Sequence, residues 1–246
     1  MRFERDSMGM PIALEIVDAG REAEAERVFD YFAAVDARFS TYKGDSEIAR
    51  INRGELSEGE WSRQMREVMA LAERTRQESA GYFDIRRPDG ALDPSGVVKG
   101  WAILNAAKRL EDAGVTHFYI DAGGDIALAG RNARGEEWSV GIRHPVRRDE
   151  IVKVVYPRGK GVATSGNYLR GAHIYDPHTA LPPAGVVSLT VIGPDVLEAD
   201  RFATAAFAMG ERGIAFIEGL PGFEGYQIGE TGVATMTSGF AAYTAP

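Results

Sequence analysis

The stretch "HFYIDAGGDIALAG", residues 117–130, is where the chain changes character. The two apolar runs on either side of Gly123-Gly124 read as a pair of strands joined by a hairpin turn or bulge. Working toward the N-terminus, the pattern is helical. Val28, Phe29, Phe32, Val35 and Phe39 repeat at helical spacing within 21–39. Two further helices are expected, over about 62–79 and over about 97–113, the latter stopping at Gly114. Ahead of them "PIALEIV", 11–17, reads as a strand, and Asp45 or Ser46 is placed to cap a short helix in "STYKGDSEIARIN", 40–52. Toward the C-terminus, "EWSVGIRHP", "EIVKVVYP", "KGVATSG", "AHIYDP" and "VVSLTVIG" read as short strands separated by turn residues. A helix over about 195–208, another near 211–219 and two or three short strands follow. Long helices first and strands in the middle predict an α+β fold: one domain, 1–246, with two lobes and helices packed on a mixed or antiparallel sheet.

Composition narrows the function. With 44% hydrophobic and 26% charged residues, the chain has an ordinary globular make-up. A net charge of −8 argues against nucleic acid or an anionic membrane surface as partner. No run of 18 apolar residues occurs, so no membrane insertion is expected. The opening "MRFERDSMGMP" lacks the apolar segment of a secretory signal, which leads to the expectation of a cytoplasmic protein. The absence of cysteine removes disulfides, thiolate metal sites and cysteine nucleophiles together.

The phosphate-binding patterns G-x-x-x-x-G-K-[ST] and G-x-G-x-x-G after a strand are missing, as is H-E-x-x-H. What stands out is polarity inside apolar surroundings. In "LEADRFATAAFAMG", 197–210, Asp200 and Thr204 lie four residues apart, on one helical face. Two such oxygens suit a hard cation such as Mg²⁺. "GYFDIRRPDGALDPSGVVKG" sets Asp84, Asp93, Ser95 and Lys99 among Gly and Pro, and "GVATSGNYLRGAHIYDP" sets Thr164, Ser165 and Gly166 before His173 and Asp176. Each stretch alone has a plain structural reading as a cap, a turn or a solvated pair.

Taken together and in order, M-G at 8–9, "FSTYKGDSEIARIN", "GYFD", "LDPSGVVKGWA", "DAGGDIALAG", "W-x-V-G-I-x-x-P", "VATSGNY", "HIYDP" and "EADRFATAAFAMG" resemble the ApbE family of flavin transferases, from Met8 to about Gly210. The resemblance implies the ApbE-type fold with FAD in a cleft between lobes. It implies Mg²⁺-dependent transfer of FMN from FAD to a threonine of an acceptor flavoprotein, which carries a D-x-x-[ST]-G-A-T-type motif, with release of AMP. It places the metal on Asp200, Thr204 and the Gly96 carbonyl. It places FAD contacts on Met8, Thr41, Tyr42, Lys43, Tyr82, Phe83, Asp84, Asp93, Lys99 and Tyr175. His173 is implied as the group that accepts or orients the acceptor hydroxyl's proton, with a structural hydrogen bond as the alternative role.

Three departures from the family pattern stand in the sequence. "MGMP" puts Met10 where a small hydroxyl residue is usual. Position 203 is Ala where some members carry a second carboxylate. Only residues 85–91 separate Asp84 from Leu92, where longer members insert several dozen. A rebuilt wall leaves two other readings of the same site: an FAD pyrophosphatase giving FMN and AMP, and a non-enzymatic FAD-binding protein.

Overall fold

Alternation in the strands separates two buried layers. In the computed structural model, which describes residues 1–147, 149–167 and 174–245, the strands are β1 (Arg2–Ser7), β2 (Met10–Ile16), β3 (Phe118–Ala122), β4 (Asp125–Ala129), β5 (Val140–Arg143), β6 (Ile151–Val155), β7 (Gly161–Ser165), β8 (Ser188–Gly193), β9 (Glu224–Ile228) and β10 (Ala234–Met236). Eight of them form one sheet in the order β1-β2-β3-β4-β7-β8-β9-β10, and β5 and β6 make a separate ribbon. Every pairing between these strands is antiparallel, which resolves the expected mixed or antiparallel sheet. Ile12, Leu14, Ile16, Phe118 and Ile120 point to one face and are buried under helices. Ile126, Leu128, Val162, Ile192 and Tyr226 point to the other, where Trp138, Val140, Val155 and Phe240 cover them. Strand β8 is buried at all six positions, Ser188 and Thr190 included, as a strand covered on both faces must be.

The helices are α1 (Glu22–Phe39), α2 (Glu47–Asn52), α3 (Arg63–Glu78), α4 (Ser95–Asp112), α5 (Val196–Ala208) and α6 (Gly213–Glu218). All five apolar residues expected on the inner face of α1 are buried. Ser46 caps α2 by accepting the Ala49 amide. Helices α1, α3 and α4 pack with β2 and β3 in one core, and α5 and α6 pack with β7 and β8 in a second. No helix among the described residues is long and apolar enough to cross a membrane. Two local readings are corrected. β1, "RFERDS", is a charged edge strand that shows no apolar alternation. Of "AHIYDP", the part within the described residues is not a strand, and Asp176 makes only an isolated bridge to Leu181.

The two helical cores meet where α4 crosses α5. Gly96 and Gly100 are one turn apart on α4; Asp200 and Thr204 are one turn apart on α5. A Cβ at Gly100 would lie 2.7 Å from Asp200 Cβ and 3.0 Å from Leu197 Cα, so only glycine lets the helices approach this closely. The Gly100 amide uses that proximity to donate to Asp200 Oδ2 at 2.7 Å. Arg201, the next residue, turns the other way. Arg201 is 3% exposed, and its guanidinium donates to Glu198 on its own helix and to Glu78 on α3, which ties α5 to α3. At the far end of α4, Asp18 accepts the amides of Thr116 and His117 at 3.1 and 2.9 Å and the Thr116 hydroxyl at 3.0 Å, fixing the entry into β3.

Two outcomes follow from this packing. Gly100→Ala gains about 1 kcal/mol of helix propensity but drives a methyl into backbone, an overpacking cost of about 1–3 kcal/mol. A net loss is expected because Leu197 Cα cannot move aside alone, and a lowered thermal unfolding midpoint checks it. For Asp18, burial pushes the carboxyl up, but the hydrogen bonds from His117 and Thr116 outweigh it and hold it below its ordinary 3.8. A depressed carboxyl adds stability above its ordinary value and loses it as pH falls through the native one. Urea unfolding of Asp18→Asn should therefore show a deficit against wild type at pH 7 that closes steadily below pH 3.8.

Candidate active site

The α4–α5 crossing lines one side of a cleft that is open to solvent and encloses a cavity of about 160 Å³. The first turn of α4 contributes Ser95, Gly96 and Lys99, and α5 contributes Asp200, Thr204 and Ala208. The end of β7 adds Thr164, Ser165 and Gly166, and the remaining walls come from 82–87, Asp93, Gly123 and 174–177. Gly96 admits the backbone here because a Cβ would meet the Phe83 ring at 2.8 Å and Thr204 Cγ2 at 3.4 Å.

Charge at the base of the cleft is organised around Lys99. Its ammonium lies 2.6 Å from Asp125 Oδ2 and 3.5 Å from Asp200 Oδ1. Asp125 is fully buried at the start of β4, and its Oδ1 accepts the Thr164 amide at 3.1 Å. Burial pushes the Asp125 carboxyl well above the ordinary value; Lys99 pulls it back and the nearby Asp200 adds to the rise. One ammonium thus serves two buried carboxylates and joins α4, β4 and α5. Thr204 Oγ1 has Ser165 Oγ at 3.4 Å, a long contact that leaves its lone pairs open to another partner. Among the described residues no three of His, Cys, Asp or Glu gather as a metal cluster. A cation at this place would have to draw on hydroxyl and carbonyl oxygens beside Asp200.

Aromatic rings form the opposite wall. Tyr82 is held edge-on by His178, centroids 4.6 Å apart, and by Arg212, whose guanidinium lies 5.3 Å from the ring centre and donates to the Tyr82 hydroxyl. The Phe83 ring is buried against Gly96, and the Phe83 amide donates to Ser79 Oγ at 3.1 Å. Burial, then the Asp84 carboxylate, pushes the Tyr175 hydroxyl above its ordinary 10, with Arg87 acting in the opposite sense.

Of the expected site residues, Tyr82, Phe83, Asp84, Asp93, Gly96, Lys99, Tyr175, Asp200 and Thr204 all line this cleft. Met8, Thr41, Tyr42 and Lys43 do not. Met8 sits in the β1–β2 turn with φ 54° and packs against the first core. The 41–45 segment is folded onto α2: Ser46 Oγ donates to the Ser40 carbonyl and Arg53 to the Gly44 carbonyl. Lys43 pairs with Asp36 at 2.7 Å, and Tyr42 is 99% exposed. His173 lies outside the described residues. Sequence reading overlooked Asp125, whose only mark was an acidic residue opening the otherwise apolar "DIALA", and it overlooked Ile85 and Arg87 in the short turn before Leu92.

The sequence model of the ApbE family matches residues 8–88 and 85–226, two segments that meet at this same turn. The FAD:protein FMN transferase of Salmonella typhimurium is 35% identical over 133 residues, which span 50% of this chain and 38% of that protein. The protein of the same name from Escherichia coli K12 is 26% identical over 284 positions, spanning 90% of this chain and 81% of its own length. That alignment is longer than the 246 residues of this chain, so the relative carries inserted residues. The structure described as Flavin Transferase ApbE from Vibrio cholerae matches with a TM-score of 0.84 at 24% identity, covering 99% of this chain and 98% of that one, a likeness of fold. Family model, shared fold and the ordered motif blocks agree, and the chain belongs to the ApbE family.

Proposed function

We propose that this chain transfers the FMN half of FAD to a threonine hydroxyl of an acceptor flavoprotein and releases AMP; its relatives are named for FMN transfer from FAD to protein. One observation carries the reading: Asp200, Thr204 and Lys99 meet the first turn of α4 inside a cleft with an aromatic wall. Phosphoryl transfer asks a protein chiefly to position a diphosphate and neutralise its charge. This arrangement offers both.

The residues fit Mg²⁺. The Asp200 carboxylate, the Thr204 hydroxyl and the Gly96 carbonyl are hard oxygen donors, and the cation ordinarily completes its shell with water and substrate phosphate. Gly96 supports this. An α-helical amide ordinarily donates to the carbonyl four residues back, yet the Gly100 amide donates to Asp200 and so competes with its own bond to Gly96. When bound, Mg²⁺ supplies charge neutralisation on the diphosphate.

The protein's own groups do the rest. Lys99, held between Asp125 and Asp200, presents its ammonium at the cleft floor. Tyr82 offers an aromatic surface to a flat ring, and Asp84, Asp93 and Tyr175 offer polar contacts around it. In the reaction the threonine Oγ bonds to the FMN phosphorus as the bond from that phosphorus to the bridging oxygen breaks. The bridging oxygen leaves on AMP. The hydroxyl proton goes to a base, a role we give to His173 from the sequence alone.

Intact mass of an acceptor flavodomain, incubated with this protein, FAD and Mg²⁺, should rise by one FMN phosphoester. EDTA should abolish the gain, and Asp200→Ala should slow it by about a hundredfold or more. FMN and AMP accumulating without a mass gain would establish a hydrolase instead. Intact FAD throughout would leave a flavin-binding protein.

A further inference from the structure

The turn at 86–92 is where this chain parts from the family pattern, so its residues inherit no role from relatives. It is nonetheless built firmly. Arg86 and Leu92 form a bridge, the Arg87 amide donates to the Ala91 carbonyl at 2.8 Å, and the Gly90 amide donates to the Arg87 carbonyl at 2.9 Å. Asn52, from α2, clamps the turn by donating to the Leu92 carbonyl at 2.9 Å and accepting the Leu92 amide at 2.8 Å. Asp84 accepts the Arg86 amide at 2.8 Å, and the Tyr175 hydroxyl reaches the Arg86 carbonyl at 3.5 Å. The turn's backbone is thus fixed from three sides, and it delivers Arg87 to the cleft.

Charge decides what Arg87 does there. Among the described lining residues Asp84, Asp93 and Asp200 are acidic, and Lys99 and Arg87 are basic. Lys99 is already committed to two buried carboxylates. Arg87 is held at 2.8 Å by Asp89, whose side chain is 55% exposed and stands outside the lining. An exposed pair of this kind is weak and exchangeable. A guanidinium is also the side chain best matched to two phosphate oxygens at once.

Resting on the transferase reading, we infer that Arg87 is a substrate-binding residue that leaves Asp89 to grip the diphosphate of FAD, replacing part of the wall the shortened turn lacks. Arg87 thereby discriminates flavins by phosphate. Its weight falls on diphosphate binding, with none on the isoalloxazine ring.

The test is equilibrium binding, read from flavin fluorescence, of FAD and of riboflavin to wild type, Arg87→Ala and Arg87→Lys. Arg87→Ala should weaken FAD by about tenfold or more, the scale of a charge-assisted hydrogen bond, and leave riboflavin unchanged. Arg87→Lys should recover part of the loss, because charge persists without the bidentate fork. Equal FAD affinity in wild type and Arg87→Ala, or an equal loss for riboflavin, would overturn the assignment while leaving the transferase reading intact. Wild type that binds no FAD would overturn both.

Discussion

The Gly100 amide bonded to Asp200 is the contact on which the site depends. A carboxylate 2% exposed must find donors inside the protein. Asp200 finds one in the backbone of α4, and a backbone donor is reachable only where no Cβ stands between the helices. The same crossing brings Gly96 beside Thr204 and aims Lys99 back toward α5. Neighbouring contacts lock the geometry. Arg201 pins α5 to α3 through Glu78. A Cβ at Gly161 would lie 2.0 Å from the Val196 amide nitrogen, so the start of α5 is pressed onto β7 just as tightly. The spacing of the site's oxygens is thus set by helix and strand packing, and the loops have little say in it.

Electrostatics gives that packing its use. Two buried carboxylates share one ammonium at the inner cleft, which stands 2.6 Å from Asp125 and 3.5 Å from Asp200, so Asp200 is the less closely compensated of the two. Such a site gains from a divalent cation and, through it, from a polyanion that the carboxylates would otherwise repel. Under the transferase reading, acidic residues beside a diphosphate are therefore what a metal-dependent site needs.

What the sequence reveals follows the range of each interaction. The helices are legible because Val28, Phe29, Phe32, Val35 and Phe39 recur on a local period, and the β3–β4 hairpin because Gly123-Gly124 breaks two apolar runs. Asp200 and Thr204 are legible because their pairing spans a single turn. β1 is not, since an edge strand carries its charges on exposed positions and has little apolar pattern to show. Asp125 is hidden for another reason: its meaning comes from Lys99, 26 positions earlier, and from a burial that no local pattern announces. The 41–45 segment shows another limit: its polar residues suggest a ligand, while the structure shows the Ser40 and Gly44 carbonyls tied to α2 and the segment's side chains outside the cleft lining.

Two kinds of constraint meet in the cleft, and they differ in what they tolerate. The inner residues, Gly96, Gly100, Asp200 and Thr204, belong to helices whose backbones touch, so any change of size there moves a helix. The outer wall at 86–92 is a turn held by Asn52, Asp84 and Tyr175 through main-chain hydrogen bonds, and these demand a backbone path without dictating its side chains. Length can change at such a turn without disturbing the helices behind it, because loop closure costs grow only slowly with residue number. That is why this chain can dispense with residues that a longer relative inserts and still keep the same fold. Tolerance of change is therefore greater at the turn, where Arg87 stands, than at the α4–α5 crossing, where a Cβ at Gly100 would strike Asp200 and Leu197.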